Sequence, residues 1–363
     1  MNILIFHIGS LGDTLVSVPA LWALKEHFTD ARFTMLCDHN PRKSHVRTRD
    51  ILDGSSLVDD YILYLAETTL RGRLQQFMYL SVLLKKLRRR RFDAMVYLMR
   101  PGRSNVLIQR DIAFFRLAGI RKFIGLSGFK PLVPKIPGQS LPTELHVADQ
   151  ILQRLADSGV RIPAVGCGKL DLKISDSEKN TVLKKIVKNV NANDKTRIAI
   201  APGSKMPAKI WPLERYILVV DRLIQHFDIW PIILGGAEDC QAGDVMLKHW
   251  GRGSLAAGKL GIREGVAALQ SCAFCLGNDT GTLHMAVAAG IPCIGIYSSR
   301  DYPGLWYPYG HGYKVFRTDI ECEGCMLEVC KDRHMACIHS IGVNEVYVTA
   351  AEFLERLAIR TIS

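Results

Sequence analysis

The apolar positions of this chain follow two alternating rhythms. Consecutive apolar runs lie at 2–8, 32–37, 60–64, 93–98 and 122–126, and each reads as a buried strand. Between them, apolar residues recur at helical spacing over 14–28, 72–91, 104–118 and 144–158. Residues 127–142 carry four prolines and read as a loop. Gly159, Pro163, Gly166 and Gly168 mark a linker, and the alternation then restarts. Helices are predicted over 175–190, 212–227, 238–249, 262–271 and 281–289, with strands over 196–201, 229–234, 254–257, 272–276 and 292–296. Residues 300–340 read as loop, and a helix at 345–358 follows.

Strands that alternate with helices form parallel sheets covered on both faces. A length of 363 residues exceeds one ordinary core. The fold class is therefore α/β, with two doubly wound, Rossmann-like domains facing each other across a cleft. The expected boundaries are 1–165 and 170–342, with a C-terminal helix in 343–363.

In such sheets ligands bind beyond the carboxyl ends of the strands. Glycine and polar residues concentrate there. After the first strand comes His7-Ile8-Gly9-Ser10-Leu11-Gly12-Asp13. After 196–201 comes Pro202-Gly203-Ser204-Lys205-Met206-Pro207-Ala208-Lys209. Gly235, Gly236, Glu238 and Asp239 follow 229–234, and Asp279-Thr280-Gly281 follows 272–276.

Charge sharpens this division. The net charge is +12, and residues 1–159 hold 23 Lys/Arg against 14 Asp/Glu. The first half therefore favours an anionic partner: a phosphorylated ligand, an anionic membrane surface or nucleic acid. The densest run, Lys85-Lys86-Leu87-Arg88-Arg89-Arg90-Arg91, also suits a helix C-terminus, where cations offset the macrodipole. No apolar run reaches the roughly 18 residues of a membrane span. The N-terminus lacks a basic n-region and cleavage site, so a cytosolic protein is expected.

The glycine turn departs from the dinucleotide fingerprint G-x-G-x-x-G, because His7 replaces the first glycine. A NAD-dependent oxidoreductase is thus the weaker enzyme reading, with Asp38 as its ribose acid. Asp13 at a helix start would be ionised, ready to accept a proton from a positioned hydroxyl or to cap its own helix. Gly9 and Gly12 would let a bulky substrate approach. In the second half Thr280 and His284 share a helical face. With the backbone N–H groups of that helix start they suit a diphosphate. Lys205 and Lys209 would neutralise it, and Glu238 or Asp239 would accept from ribose hydroxyls. Transfer of a group from a nucleotide-activated donor to a hydroxyl fits these parts. A non-catalytic sugar- or lipid-binding scaffold would use the same fold.

The segments ILIFHIGSLGDTLVSVPALWALK, IAIAPGSKMPAKIWPLERY, LGGAEDC, LGNDTGTLHMAVAAGIPCIGIYS and CEGCMLEVCKDRHMACIHSI resemble, in order, those of glycosyltransferase family 9, the ADP-heptose lipopolysaccharide heptosyltransferases. The resemblance implies a GT-B fold and an inverting mechanism without a catalytic metal or cofactor. It implies an acceptor-binding first domain, a donor-binding second domain, and a final helix packing back on the first. Asp13 would be the general base. Gly9, Ser10, Gly12 and Arg100 would lie on the acceptor side. Ser204, Lys205, Lys209, Glu238, Asp279, Thr280, Gly281 and His284 would bind the donor. The implied partners are ADP-heptose or a related nucleotide-sugar and an anionic lipid A/Kdo-type acceptor. The resemblance implies no nucleic-acid partner. The expected place is the cytoplasmic face of the inner membrane, as a peripheral protein. The chain departs from many relatives at Met99-Arg100, where an acidic-amide pair is common.

Ten cysteines remain. Cys37, Cys167, Cys240, Cys272, Cys275 and Cys293 are scattered and read as reduced core thiols. Cys322, Cys325, Cys330 and Cys337 cluster at x2, x4, x6 spacing. They are free thiols, a structural zinc site or disulfide partners.

Overall fold

A computed structural model describes residues 1–39, 46–65, 73–129, 132–136, 138–186 and 195–362. Gly72, which opens the expected helix 72–91, and residues 187–190 of the expected helix 175–190 lie outside this set. The chain divides into two compact units.

The first unit comprises Met1–Val133 and Val147–Lys173. Its five parallel strands are β1 (Asn2–His7), β2 (Arg32–His39), β3 (Asp60–Leu65), β4 (Ala94–Tyr97) and β5 (Lys122–Ile124), in the order β3-β2-β1-β4-β5. Its helices are α1 (Leu11–Leu15), α2 (Val18–His27), α3 (Thr48–Leu52), α4 (Arg73–Arg90), α5 (Asn105–Leu117) and α6 (Val147–Ala156). The expected helix 14–28 is broken in two. Pro19 has no N–H to reach the Leu15 carbonyl, and the Ser17 hydroxyl donates instead to Asp13 O at 2.8 Å. Phe6, Leu36, Ile62, Leu83, Leu87, Tyr97 and Phe115 fill the core between sheet, α4 and α5. Fully burying one such side chain contributes roughly 1.5–3 kcal/mol.

The second unit comprises Pro134–His146 and Ile174–Ser363. Its six-stranded parallel sheet runs β11-β10-β9-β6-β7-β8. The strands are β6 (Thr196–Ala201), β7 (Ile229–Ile233), β8 (Ser254–Leu255), β9 (Cys275–Asn278), β10 (Cys293–Ile296) and β11 (Tyr313–Phe316). The helices are α7 (Asp176–Ile186), α8 (Leu213–His226), α9 (Cys240–Trp250), α10 (Ile262–Leu269), α11 (Gly281–Ala288), α12 (Ala336–His339) and α13 (Val343–Ile362). β11 and α12 fall inside the stretch 300–340 expected as loop.

Two assignments shift. The proline-rich segment before α6 belongs with the second unit. There Leu141 N–H donates to Glu323 Oε1 at 2.6 Å and Glu144 N–H donates to Pro303 O at 2.8 Å. The C-terminal helix, expected on the first domain, places Val346, Ala350 and Leu354 in the core of the second, against α8. Their spacing of four puts them on one face of α13, which matches the buried face of α8 at Tyr216, Val220 and Leu223.

Candidate functional site

Both sheets have a point where chain order reverses, and the carboxyl ends of the flanking strands diverge there. In the first unit it lies between β1 and β4; in the second, between β6 and β9.

At the first of these, the His7 imidazole occupies the gap. Its Nδ1–H donates to Leu98 O at 2.9 Å, since a carbonyl only accepts. Nε2 lies 3.1 Å from Thr14 Oγ1. Burial lowers the His7 pKa below its ordinary value against the opposing pull of the Leu98 carbonyl and of Asp13 and Asp38. The ring fills the space where the first glycine of a dinucleotide loop would admit a pyrophosphate. The oxidoreductase reading loses its binding loop.

Asp13 folds back on its own turn. Its Oδ2 accepts from Ser10 N–H and from Ser10 Oγ–H, both at 2.8 Å, which satisfies an orphan donor of α1. Among the described residues no hydrogen bond reaches Oδ1, so one carboxylate oxygen keeps its lone pairs. Gly9 serves this arrangement: a Cβ there would sit 2.4 Å from Asp13 Cβ. Ser10 is exposed and Gly12 half-buried. Arg100 is exposed just beyond β4, on the same sheet edge. Met99, beside it, is a core residue at 2% exposure, and its carbonyl accepts from the Arg154 guanidinium. The turn after β4 is braced by Asp111, which accepts from Tyr97 OH at 2.7 Å and Arg103 Nε at 3.2 Å.

In the second unit the loops converge on a buried ion pair. Lys209 Nζ lies 2.6 Å from Asp279 Oδ2, with side chains only 12% and 7% exposed. Asn278 fixes the loop that carries Lys209. Its Oδ1 accepts from Trp211 N–H at 3.1 Å and Tyr216 OH at 2.9 Å, and its Nδ2 donates to Pro202 O. Thr280 is the N-cap of α11, yet its Oγ1 is buried without a partner among the described residues, and so is Ser298 Oγ beyond β10. Buried hydroxyls are ordinarily paired, so orphans at a sheet edge mark places for a ligand. Gly281 opens α11, and its neighbouring N–H groups point the positive end of the helix the same way.

The glycines around Asp239 have a definite function. A Cβ on Gly203 would meet Asp239 Oδ1 at 1.7 Å, and one on Gly235 would meet Oδ2 at 2.1 Å. Asp239 accepts from Gly236 N–H at 2.8 Å, a bond within the loop after β7, and packs against Gly203 of the loop after β6. Burial holds its carboxyl above the usual range against that N–H bond, with Glu238 adding to the rise. Glu238 is exposed, as is Lys205, while Ser204 Oγ accepts from Met206 N–H at 3.2 Å. His284 is buried, edge-on to Trp306 at 6.3 Å.

Sequence reasoning missed three residues here. His146 Nε2–H donates to Tyr307 O at 2.9 Å. Burial, then the nearby His284, pushes its pKa down to about 3. Asp301 lies among Lys209, Asp279 and Arg300, and burial raises its pKa above the usual carboxylate value. Ser298 and Asp301 follow β10, so the carboxyl-edge rule would have found them. His146 had no local signal.

The family model for glycosyltransferase family 9 (heptosyltransferase) matches residues 82–336. The chain belongs to glycosyltransferase family 9. Lipopolysaccharide heptosyltransferase 2 of Salmonella typhimurium is 26% identical over 154 residues, covering 40% of this chain and 42% of that protein. The match thus spans less than half of that curated relative. Among solved structures, the family 9 glycosyltransferase of Veillonella parvula superposes with a TM-score of 0.74 at 19% identity, over 98% of this chain and 97% of that one. The Escherichia coli ADP-heptose lipopolysaccharide heptosyltransferase II gives 0.70 at 19% identity, over the whole of both chains. At these identities the likeness is one of fold, the GT-B type with two parallel-sheet α/β units.

The cysteines of this family 9 member separate by environment. Burial pushes the Cys37, Cys272 and Cys293 thiols up to about 12, as expected for inert core residues. Cys167 is exposed and so is not core, while half-buried Cys240 packs against the core of the second unit. Cys322, Cys325, Cys330 and Cys337 are free thiols. Among the described residues no group of three or more His, Cys, Asp or Glu side chains is placed to hold a metal ion.

Proposed function

We propose that the protein is an inverting glycosyltransferase that moves a heptose from ADP-heptose to a hydroxyl of the lipopolysaccharide inner core. The observation that carries the reading is the Lys209–Asp279 pair beside the orphaned Thr280 hydroxyl at the start of α11. A diphosphate would satisfy that hydroxyl and the N–H groups of α11, and it would draw on the Lys209 charge. Lys205, exposed on the same loop, would reach the outer phosphate oxygens. Ser204 and Gly281 would line the phosphates, Glu238 would accept from the ribose hydroxyls, and His284 would border the sugar.

Asp13 would be the general base. Its Oδ2 is held by Ser10, which orients the carboxylate, and Oδ1 would take the acceptor hydroxyl proton. The acceptor oxygen would then attack the anomeric carbon as the bond to the β-phosphate oxygen breaks, and ADP would leave. A single displacement inverts the anomeric configuration. The Lys209 ammonium and the α11 N–H groups would stabilise the charge that grows on the departing phosphate. Gly9, Ser10, Gly12 and Arg100 would face an anionic lipid A/Kdo-type acceptor on the cytoplasmic face of the inner membrane.

The test is incubation with ADP-heptose and a panel of truncated lipopolysaccharide acceptors, read by mass spectrometry. The proposal expects a product heavier by one heptose. ADP-heptose binding with no product from any acceptor would favour the scaffold reading instead.

A further inference from the structure

The outer face of α4 is unlike that of an ordinary surface helix. Its inner face is committed to the core through Leu83 and Leu87. Outward, Phe77, Met78 and Val82 are exposed at 70%, 58% and 65%. Met78 and Val82, on one stripe, need a reason; Phe77 lies about 100° around the helix from Met78. Residues 78, 82, 85, 86 and 89 share one helical face, so the stripe continues directly into Lys85, Lys86 and Arg89. Along roughly 18 Å of helix the stripe is apolar at its N-terminal end and cationic at its C-terminal end.

The three cations are available. Arg90 is paired with Asp60, and Arg88 Nε donates to Leu117 O at 2.7 Å, but Lys85, Lys86 and Arg89 make no ion pair with any described residue. They border a basin of about 380 Å³, lined also by Val82 and Arg90. Dipole compensation at the α4 C-terminus accounts for the last turn alone. It does not account for Phe77, Met78 and Val82.

We propose that this stripe of α4 is a docking surface for an anionic phospholipid bilayer. Charge complementarity selects the occupant: the cations meet lipid phosphates, and the apolar end enters the headgroup–acyl boundary, as in interfacial amphipathic helices. A nucleic acid would match the cations and leave the apolar end in water. No helix among the described residues is long and apolar enough to cross a membrane, and docking requires none. The direction of α4 adds a consequence. Arg90 near its C-terminus pairs with Asp60 at the start of β3, so α4 runs antiparallel to the strands and its N-terminus lies toward their carboxyl ends, the edge on which Asp13 and Arg100 lie. The apolar end of the stripe is therefore the end nearer that edge, where a lipid-borne acceptor would be presented. This consequence rests on the transferase reading; the docking itself does not.

The experiment is vesicle sedimentation of the full chain, without donor or acceptor sugar. Phosphatidylcholine vesicles are compared with vesicles containing phosphatidylglycerol. The proposal expects binding to the anionic vesicles only, weakened as salt rises from about 0.1 M to about 1 M. The triple variant Lys85→Glu/Lys86→Glu/Arg89→Glu should lose binding roughly a hundredfold. Phe77→Ser/Met78→Ser/Val82→Ser should lose it about tenfold with the salt dependence kept. Thermal melting checks that both variants fold. If the charge-reversed protein does not, Lys85→Gln/Lys86→Gln/Arg89→Gln should still lose binding at least about tenfold. Equal binding to neutral vesicles, unchanged binding by folded variants, or capture by an acidic protein without vesicle binding would overturn the proposal. Because no sugar is present, a failure here leaves the transfer reaction standing, and the converse also holds.

Discussion

Replacing Asn278 by leucine should damage the second unit and its candidate donor site together. Asn278 is fully buried and joins three groups: the Trp211 N–H, the Tyr216 hydroxyl and the Pro202 carbonyl. Leucine has the same branching and side-chain heavy-atom count, so it leaves no cavity. The loss comes from three buried polar groups left without partners. Each costs about 1–3 kcal/mol, and relaxation brings the total to about 3–5 kcal/mol. That is a large part of the 5–15 kcal/mol by which domains are ordinarily stable. For a unit of this size it corresponds to a fall in Tm of roughly 6–20 °C. The same bonds hold the loop of Ser204, Lys205 and Lys209, so ADP affinity should fall at least about tenfold below the melting transition. Differential scanning calorimetry reads the first effect and isothermal titration with ADP the second. A Tm within about 2 °C of the wild type would refute the reasoning that these bonds organise the loop.

Lys209→Met leaves Asp279 buried without its partner. It should weaken ADP binding at least about tenfold and destabilise the unit by about 3–5 kcal/mol, as titration and denaturant unfolding would show. Gly9→Ala forces a Cβ to within 2.4 Å of Asp13 Cβ, so it should abolish most transfer while ADP binding stays unchanged. His146 carries a pH signature. Its folded pKa of about 3 lies below its ordinary 6.5, so the unfolded chain binds more protons between those values. Stability should therefore fall as pH drops through that window, by up to about 1.4 kcal/mol per unit, and level off below it. His146→Gln keeps a donor for Tyr307 O and should flatten the slope in melts recorded across pH.

Much of this was legible because parallel α/β sheets write long, separate signals. The runs 2–8, 32–37, 60–64 and 196–201 became strands within a residue or two, since β1, β2 and β6 are buried on both faces and β3, at the sheet edge, centres on buried Ile62. Elements that failed to show are short or depend on distant partners. α3 and β11 span five and four residues and have no period of their own. Nothing local assigns Pro134–His146 to the second unit, because its hydrogen-bond partners lie more than 150 residues onward, at Pro303, Tyr307 and Glu323. At the candidate site, residue type and position after a strand singled out Asp13, Lys209, Asp279 and Thr280 as candidates, and the fold brings Lys209 against Asp279. What residue type cannot tell is why a glycine is there. Gly9 looked like access for substrate, but it clears space for the protein's own Asp13, and Gly203 does the same for Asp239.

The central claim is that the free oxygen of Asp13 takes the proton in sugar transfer. Asp13→Asn tests it most directly, because an amide oxygen can still accept from Ser10 and keep the turn of α1 intact. Product formation from ADP-heptose and a truncated lipopolysaccharide acceptor would be followed by mass spectrometry, with ADP affinity measured on the same preparation. The account predicts unchanged ADP affinity and melting temperature with turnover reduced at least about a hundredfold. An Asp13→Asn enzyme that transfers heptose at close to the wild-type rate would contradict it.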